Sequence, residues 1–120
     1  DNPYAAGRRL REAVEVIRRG KSLLVFPEGS RSRNGNIGEF KTGVFLAAIR
    51  AHVPLVPITI HGSREVLPPY SWHIRPGTIA LHVAAPIATD DLQKGQAEEL
   101  AARVRNLISE TLAARRQFIA

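Results

Sequence analysis

Apolar residues recur along the chain at two spacings, and the alternation between them divides the sequence into elements. Within residues 3–19, Leu10, Ala13, Val14 and Ile17 fall at i, i+3, i+4 and i+7, which is one stripe of a helix, and Arg8, Arg9, Arg11, Arg18 and Arg19 lie off it. Asn2 suits the cap, Pro3 the first turn and Gly20 the stop. The continuous run at 22–26, with Leu23, Leu24, Val25 and Phe26, predicts a buried strand of a parallel sheet, ended by Pro27. Residues 27–39 are rich in Gly, Ser, Asn and Arg and predict a loop. Residues 40–51 predict a second helix with an apolar centre of Val44, Phe45, Leu46 and Ile49.

Residues 54–60 predict a second buried strand, whose prolines place it at an edge or shorten its pairing. A long loop follows over 61–77, through Pro68-Pro69 and Pro76-Gly77. Residues 78–84 predict a third strand in which Ile79, Leu81 and Val83 alternate with Ala80 and His82. Thr89 caps a turn carrying Asp90 and Asp91. After Gly95 a long helix is expected to run to about Gln117, with Ala97, Leu100, Ala101, Val104, Leu107, Ile108, Thr111 and Leu112 as its buried stripe. The order helix, strand, helix, strand, strand, helix predicts the α/β class: an open, mainly parallel or mixed sheet with flanking helices. Three short strands make a narrow sheet, so the chain is expected to be an incomplete half of a larger domain. Its length of 120 residues leaves room for one domain. Asp1 is no natural initiator, so the chain is expected to begin inside a longer protein.

Composition removes several classes of function. There is no cysteine, hence no disulfide and no thiolate metal site. His52, His61, His73 and His82 share no tight metal-ligand spacing. The longest apolar stretch, 53–60, contains two prolines and a threonine and falls far short of the about 20 residues of a membrane-spanning helix. No basic segment followed by an apolar run marks a signal peptide. A net charge of +6 predicts attraction to polyanions. Nucleic acid is not expected, because no helix-turn-helix, RNA-recognition or zinc signature is present and the aromatics are not interleaved with the basic residues.

The segment Phe26-Pro27-Glu28-Gly29-Ser30-Arg31-Ser32-Arg33 combines a glycine, two hydroxyls and two arginines spaced two apart. It is expected to leave the carboxyl end of a strand, where open α/β sheets hold their ligands. Guanidinium forks match phosphate oxygens, and Lys41 at the start of the next helix adds charge where free N–H groups favour an anion. The pattern suits a phosphate monoester; a solvated basic loop is the plainer reading. It is neither a P-loop nor a dinucleotide fingerprint, which Gly35 and Gly38 do not complete.

Residues 26–32 closely resemble the Phe-Pro-Glu-Gly-Thr-Arg-Ser block of the 1-acyl-glycerol-3-phosphate acyltransferase family, with Ser30 in place of threonine. Gly38-Glu39-Phe40-Lys41-Thr42-Gly43, Val53-Pro54-Leu55-Val56-Pro57-Ile58 and Ile60-His61-Gly62-Ser63 resemble further blocks in the same order, so the likeness spans residues 4–63. It implies that Glu28, Gly29, Ser30 and Arg31 bind the glycerol-phosphate acceptor, reinforced by Arg33 and Lys41. Val53, Pro54, Leu55 and Pro57 match the block tied to acyl-donor binding and site shape.

The chemistry of that family needs a histidine followed five residues later by an aspartate, so that imidazole takes the proton of the acceptor hydroxyl as it attacks the acyl thioester. Five residues after the four histidines here stand Pro57, Val66, Thr78 and Ile87. The chain therefore contains no catalytic residue by this pattern, and the pair is expected upstream. The resemblance implies an acceptor-binding portion of an enzyme of phospholipid biosynthesis. Its donor would be acyl-CoA or acyl-carrier protein as cosubstrate, with no bound cofactor, and its acceptor lysophosphatidate or a related lipid. It would work at an anionic membrane surface, on the cytoplasmic side, peripheral or anchored by a segment outside this chain. The alternative is a non-catalytic phospholipid- or phosphate-binding module. Tyr70 and Trp72 beside Pro68-Pro69 either pack a loop or meet lipid.

Overall fold

The computed structural model describes residues 2–29 and 35–116. Helix α1, Pro3–Arg18, starts where Asn2 Oδ1 accepts from the Tyr4 amide at 3.0 Å, with proline in the first turn. It stops at Arg19 and Gly20, where φ is +86°. Helix α2, Gly43–Ala51, is nearly all apolar because it is covered on two sides: α1 packs against it, and so does the last helix, α4, Ala97–Arg116. Phe45, Ala47, Ala48 and Ile49 are buried.

Residues 52–61 leave α2 and form β1, Ile58–His61. A short helix α3, Ser63–Val66, interrupts the expected loop, and β2, Ala80–Val83, returns beside β1. The two strands are antiparallel, with Ile58 opposite Val83 and Ile60 opposite Leu81. Leu55 and Ile87 extend the pairing as an isolated bridge, exchanging two hydrogen bonds of 2.9 and 2.7 Å. A 3₁₀ turn, Lys94–Gln96, leads into α4. Phe45 and Ile49 of α2, Ile87, and Ala97, Leu100, Ala101 and Val104 of α4 form the core, with Phe40 and Leu55 packed on it.

The helices lie close to where periodicity puts them, and the sheet departs from expectation. The pairing among the described residues is antiparallel, because the chain turns back through 62–79 without the crossover that a parallel pair requires. Residues 22–26, expected as a buried strand, belong to no strand, and Leu24 and Phe26 are 75% and 70% exposed. An apolar run becomes a buried strand only when something covers it, and the described residues supply no cover. On β2, Leu81 and Val83 point to solvent together with Ile58 and Ile60, and Ala80 and His82 are half-buried. Thr59 is buried on the opposite face of β1, the strand against which α4 packs. No helix among the described residues is long and apolar enough to cross a membrane.

Candidate functional site

The motif-bearing loop is built on a tight turn. Gly29 N–H donates to the Phe26 carbonyl at 3.0 Å, which places Pro27 second and Gly29 last of four residues, the positions each favours. At Gly29 φ is +74°, a conformation that L side chains rarely adopt. The end of the Lys41 side chain lies directly over this glycine: a β-carbon there would stand 2.8 Å from Lys41 Nζ and Cε. Lys41 N–H in turn donates to the Pro27 carbonyl at 2.9 Å. An ammonium thus lies against the turn at the centre of the motif, 12 residues away in sequence.

Glu28 closes the far side of the loop. Its Oε2 accepts from the Gly38 amide at 3.0 Å. Arg105, reaching across from α4, donates through Nε to the Gly38 carbonyl and through a terminal nitrogen to the Ile37 carbonyl, both at 2.8 Å. Two carbonyls held by one guanidinium fix the returning strand of the loop relative to the core helix. Arg64, from α3, comes close to Gly35, whose φ is +81°. The loop therefore brings Glu28, Gly29 and Lys41 together, with Arg105 and Arg64 beside them, which the sequence reading does not name. Their signal is absent from local sequence, because Arg105 lies 67 residues from Gly38 and meets it only through the packing of α4. Ser30, Arg31 and Arg33 lie outside the described residues.

The proline-bearing block sits on the other side of α2. Pro57 is buried, Val53 and Leu55 are half-buried and Pro54 is exposed. The buried Thr89 hydroxyl braces this block, pointing at the Val53 carbonyl at 2.8 Å and the Ala48 carbonyl at 3.3 Å. Leu55 and Phe40 pack on the same core cluster, which is how the block and the loop are tied. Of the histidines, His82 Nδ1 lies 2.8 Å from an Arg115 nitrogen. A guanidinium only donates, so this ring nitrogen accepts and the ring proton sits on Nε2.

The acyltransferase family profile matches residues 2–61, half of the chain. The chain belongs to the acyltransferase family. Over 91 residues it is 40% identical to a 1-acyl-sn-glycerol-3-phosphate acyltransferase of Limnanthes douglasii, covering 75% of this chain and 32% of that protein. Over 92 residues it is 35% identical to the enzyme of the same name from Escherichia coli strain K12, covering 77% of this chain and 37% of that one. Its fold matches the crystal structure of the 1-acyl-sn-glycerophosphate acyltransferase PlsC from Thermotoga maritima with a TM-score of 0.66 and 32% identity, over 82% of this chain and 43% of that one. This acyltransferase chain thus spans about a third of the length of the relatives it matches. The 43% coverage agrees with the expectation of a partial domain, and the parallel sheet finds no support.

Proposed function

We propose that this chain is the acceptor-binding portion of an enzyme that moves a fatty acyl group from acyl-CoA or acyl-carrier protein to the free hydroxyl of lysophosphatidate. The observation that carries the reading is the Lys41 ammonium laid over Gly29, inside a motif whose two arginines follow directly. A cation lying over an exposed glycine turn concentrates positive charge where phosphate oxygens can approach. Glu28 serves in this reading as the brace that shapes the loop, through Gly38, while Arg31, Arg33 and Lys41 meet the phosphate and Ser30 adds a hydroxyl. Val53, Pro54, Leu55 and Pro57 shape the donor side.

The base that takes the acceptor's proton is supplied by polypeptide outside this chain, since none of the four histidines is followed by an aspartate at the fifth position. The open apolar face of the β1–β2 sheet lies against that polypeptide. Tyr70 and Trp72, 84% and 97% exposed, support attachment to a lipid surface, which this reading places on the cytoplasmic side.

Calorimetric titration of the chain with glycerol 3-phosphate tests the site. Binding is expected, and Lys41→Ala and Arg31→Ala are each expected to weaken it about tenfold, the loss of one charge-assisted contact, with an unchanged circular dichroism spectrum. Binding indifferent to both substitutions overturns the assignment of the loop. Acyl transfer by the chain alone overturns the assignment of the base.

A further inference from the structure

A second concentration of positive charge lies at the opposite end of α2 from Lys41. The C-terminal turn of α2, the facing side of α1 and the turn before α4 border an open groove of about 990 Å3. Its floor is apolar, from Val14, Ile49 and Leu92. Its walls carry Arg11, Arg18, Arg50 and Lys94 against one carboxylate, Glu15. That carboxylate is engaged elsewhere, with Oε1 3.3 Å from Arg19 Nε. Arg18 spends one donor on the Arg50 carbonyl at 3.3 Å, which draws the two arginines together rather than neutralising either. Arg50 Nε is buried and has no acceptor among the described residues. A buried guanidinium N–H without an acceptor is costly, so a group that supplies one is favoured there.

We propose that this groove is an anion site separate from the motif loop, taking a phosphate ester. Guanidinium groups converging from two helices match the several oxygens of a phosphate better than a single carboxylate does. The apolar floor lowers the local dielectric, which strengthens the charge interaction, and accepts the organic part of an ester. Arg50 stands nine positions along the chain from Lys41, about 13 Å at ~1.5 Å per helical residue, so one small phosphate does not bridge the two sites. The ligand chemistry has two sources, a phospholipid headgroup or a soluble phosphate ester.

Pyrophosphate serves as the probe, with sodium chloride at matched ionic strength as the reference. It is expected to raise the thermal midpoint of the chain above the chloride reference. Arg50→Gln, and Lys94→Gln on the exposed turn, are each expected to weaken the apparent affinity about tenfold, as for loss of one charge-assisted contact. The titrations are made in an Arg31→Ala, Lys41→Ala background, which weakens the motif loop as a second pyrophosphate site and leaves the groove to carry the response. Co-sedimentation with phosphatidylcholine vesicles containing phosphatidylglycerol then distinguishes the sources. Weakened sedimentation of the two groove variants, relieved in the unsubstituted chain by pyrophosphate, assigns the groove to headgroups. Unchanged sedimentation with a lost pyrophosphate response assigns it to a soluble ester. A pyrophosphate response that survives both groove substitutions in that background, or that is already absent there before they are made, overturns the proposal.

Discussion

Gly62 follows the last residue of β1 with φ of +91°, and a β-carbon there would run into the carbonyl oxygen of Thr78. The obstacle is backbone, so no side-chain rotation relieves it. Gly62→Ala is therefore expected to combine left-handed strain with a forced separation of the two chain segments, and to cost about 2–4 kcal/mol of unfolding free energy in urea. A loss below about 0.5 kcal/mol, the range of a neutral surface change, would show that the segments separate freely. Gly29 differs, because its neighbour is the mobile end of Lys41 and its need for glycine comes from φ alone. Both glycines stand in motifs visible in the sequence. The turn at Gly29 is legible there, since Pro27 and the polar run after it announce a loop. The constraint at Gly62 is not, because it comes from Thr78, on the segment that leads into β2.

The elements were legible in proportion to how much of their burial is local. The stripes of α1 and α4 follow a 3.6-residue period, and Val14, Leu100, Ala101 and Val104 are buried as that period requires. The run at 22–26 misleads for the same reason in reverse: four apolar residues imply a covered strand, and the cover is not among the described residues. Long-range polar contacts leave no period at all, and Arg105 is the clearest case. It flanks the apolar stripe of α4, half-buried, and holds Ile37 and Gly38 by two hydrogen bonds. Arg105→Leu keeps the helix former and the stem but releases both carbonyls. The thermal midpoint is expected to fall slightly, because the freed carbonyls are near solvent. Glycerol 3-phosphate affinity is expected to fall about three- to tenfold, the scale of about 1 kcal/mol, through loosening of the Glu28 brace. Unchanged affinity with a lowered midpoint would mean that α4 supports the fold and not the site.

At the scale of the molecule, one sheet has two unlike faces. Toward α4 the β1 strand buries Thr59, and outward it shows Ile58 and Ile60, opposite Val83 and Leu81 on β2. Four β-branched or branched apolar side chains in two cross-strand pairs make a continuous patch of the kind that seeks a partner. In the proposed enzyme the rest of the domain covers it, in keeping with a match over 43% of the related structure. The same patch dictates how the 13.2 kDa chain behaves on its own. Light scattering coupled to size exclusion is expected to show masses above the monomer that rise with concentration. The double variant Ile60→Lys, Leu81→Glu replaces one apolar pair by opposite charges directly across the strands, a pairing that favours the hairpin while making association through this face costly. It is expected to run as a monomer with its helical circular dichroism intact. Self-association equal in the double variant and the unsubstituted chain would move the sticky surface elsewhere, to Leu24 and Phe26 or to the Tyr70–Trp72 loop. A monomeric unsubstituted chain would mean that the open face is tolerated in water, and that its apolar character is no evidence for a covering partner.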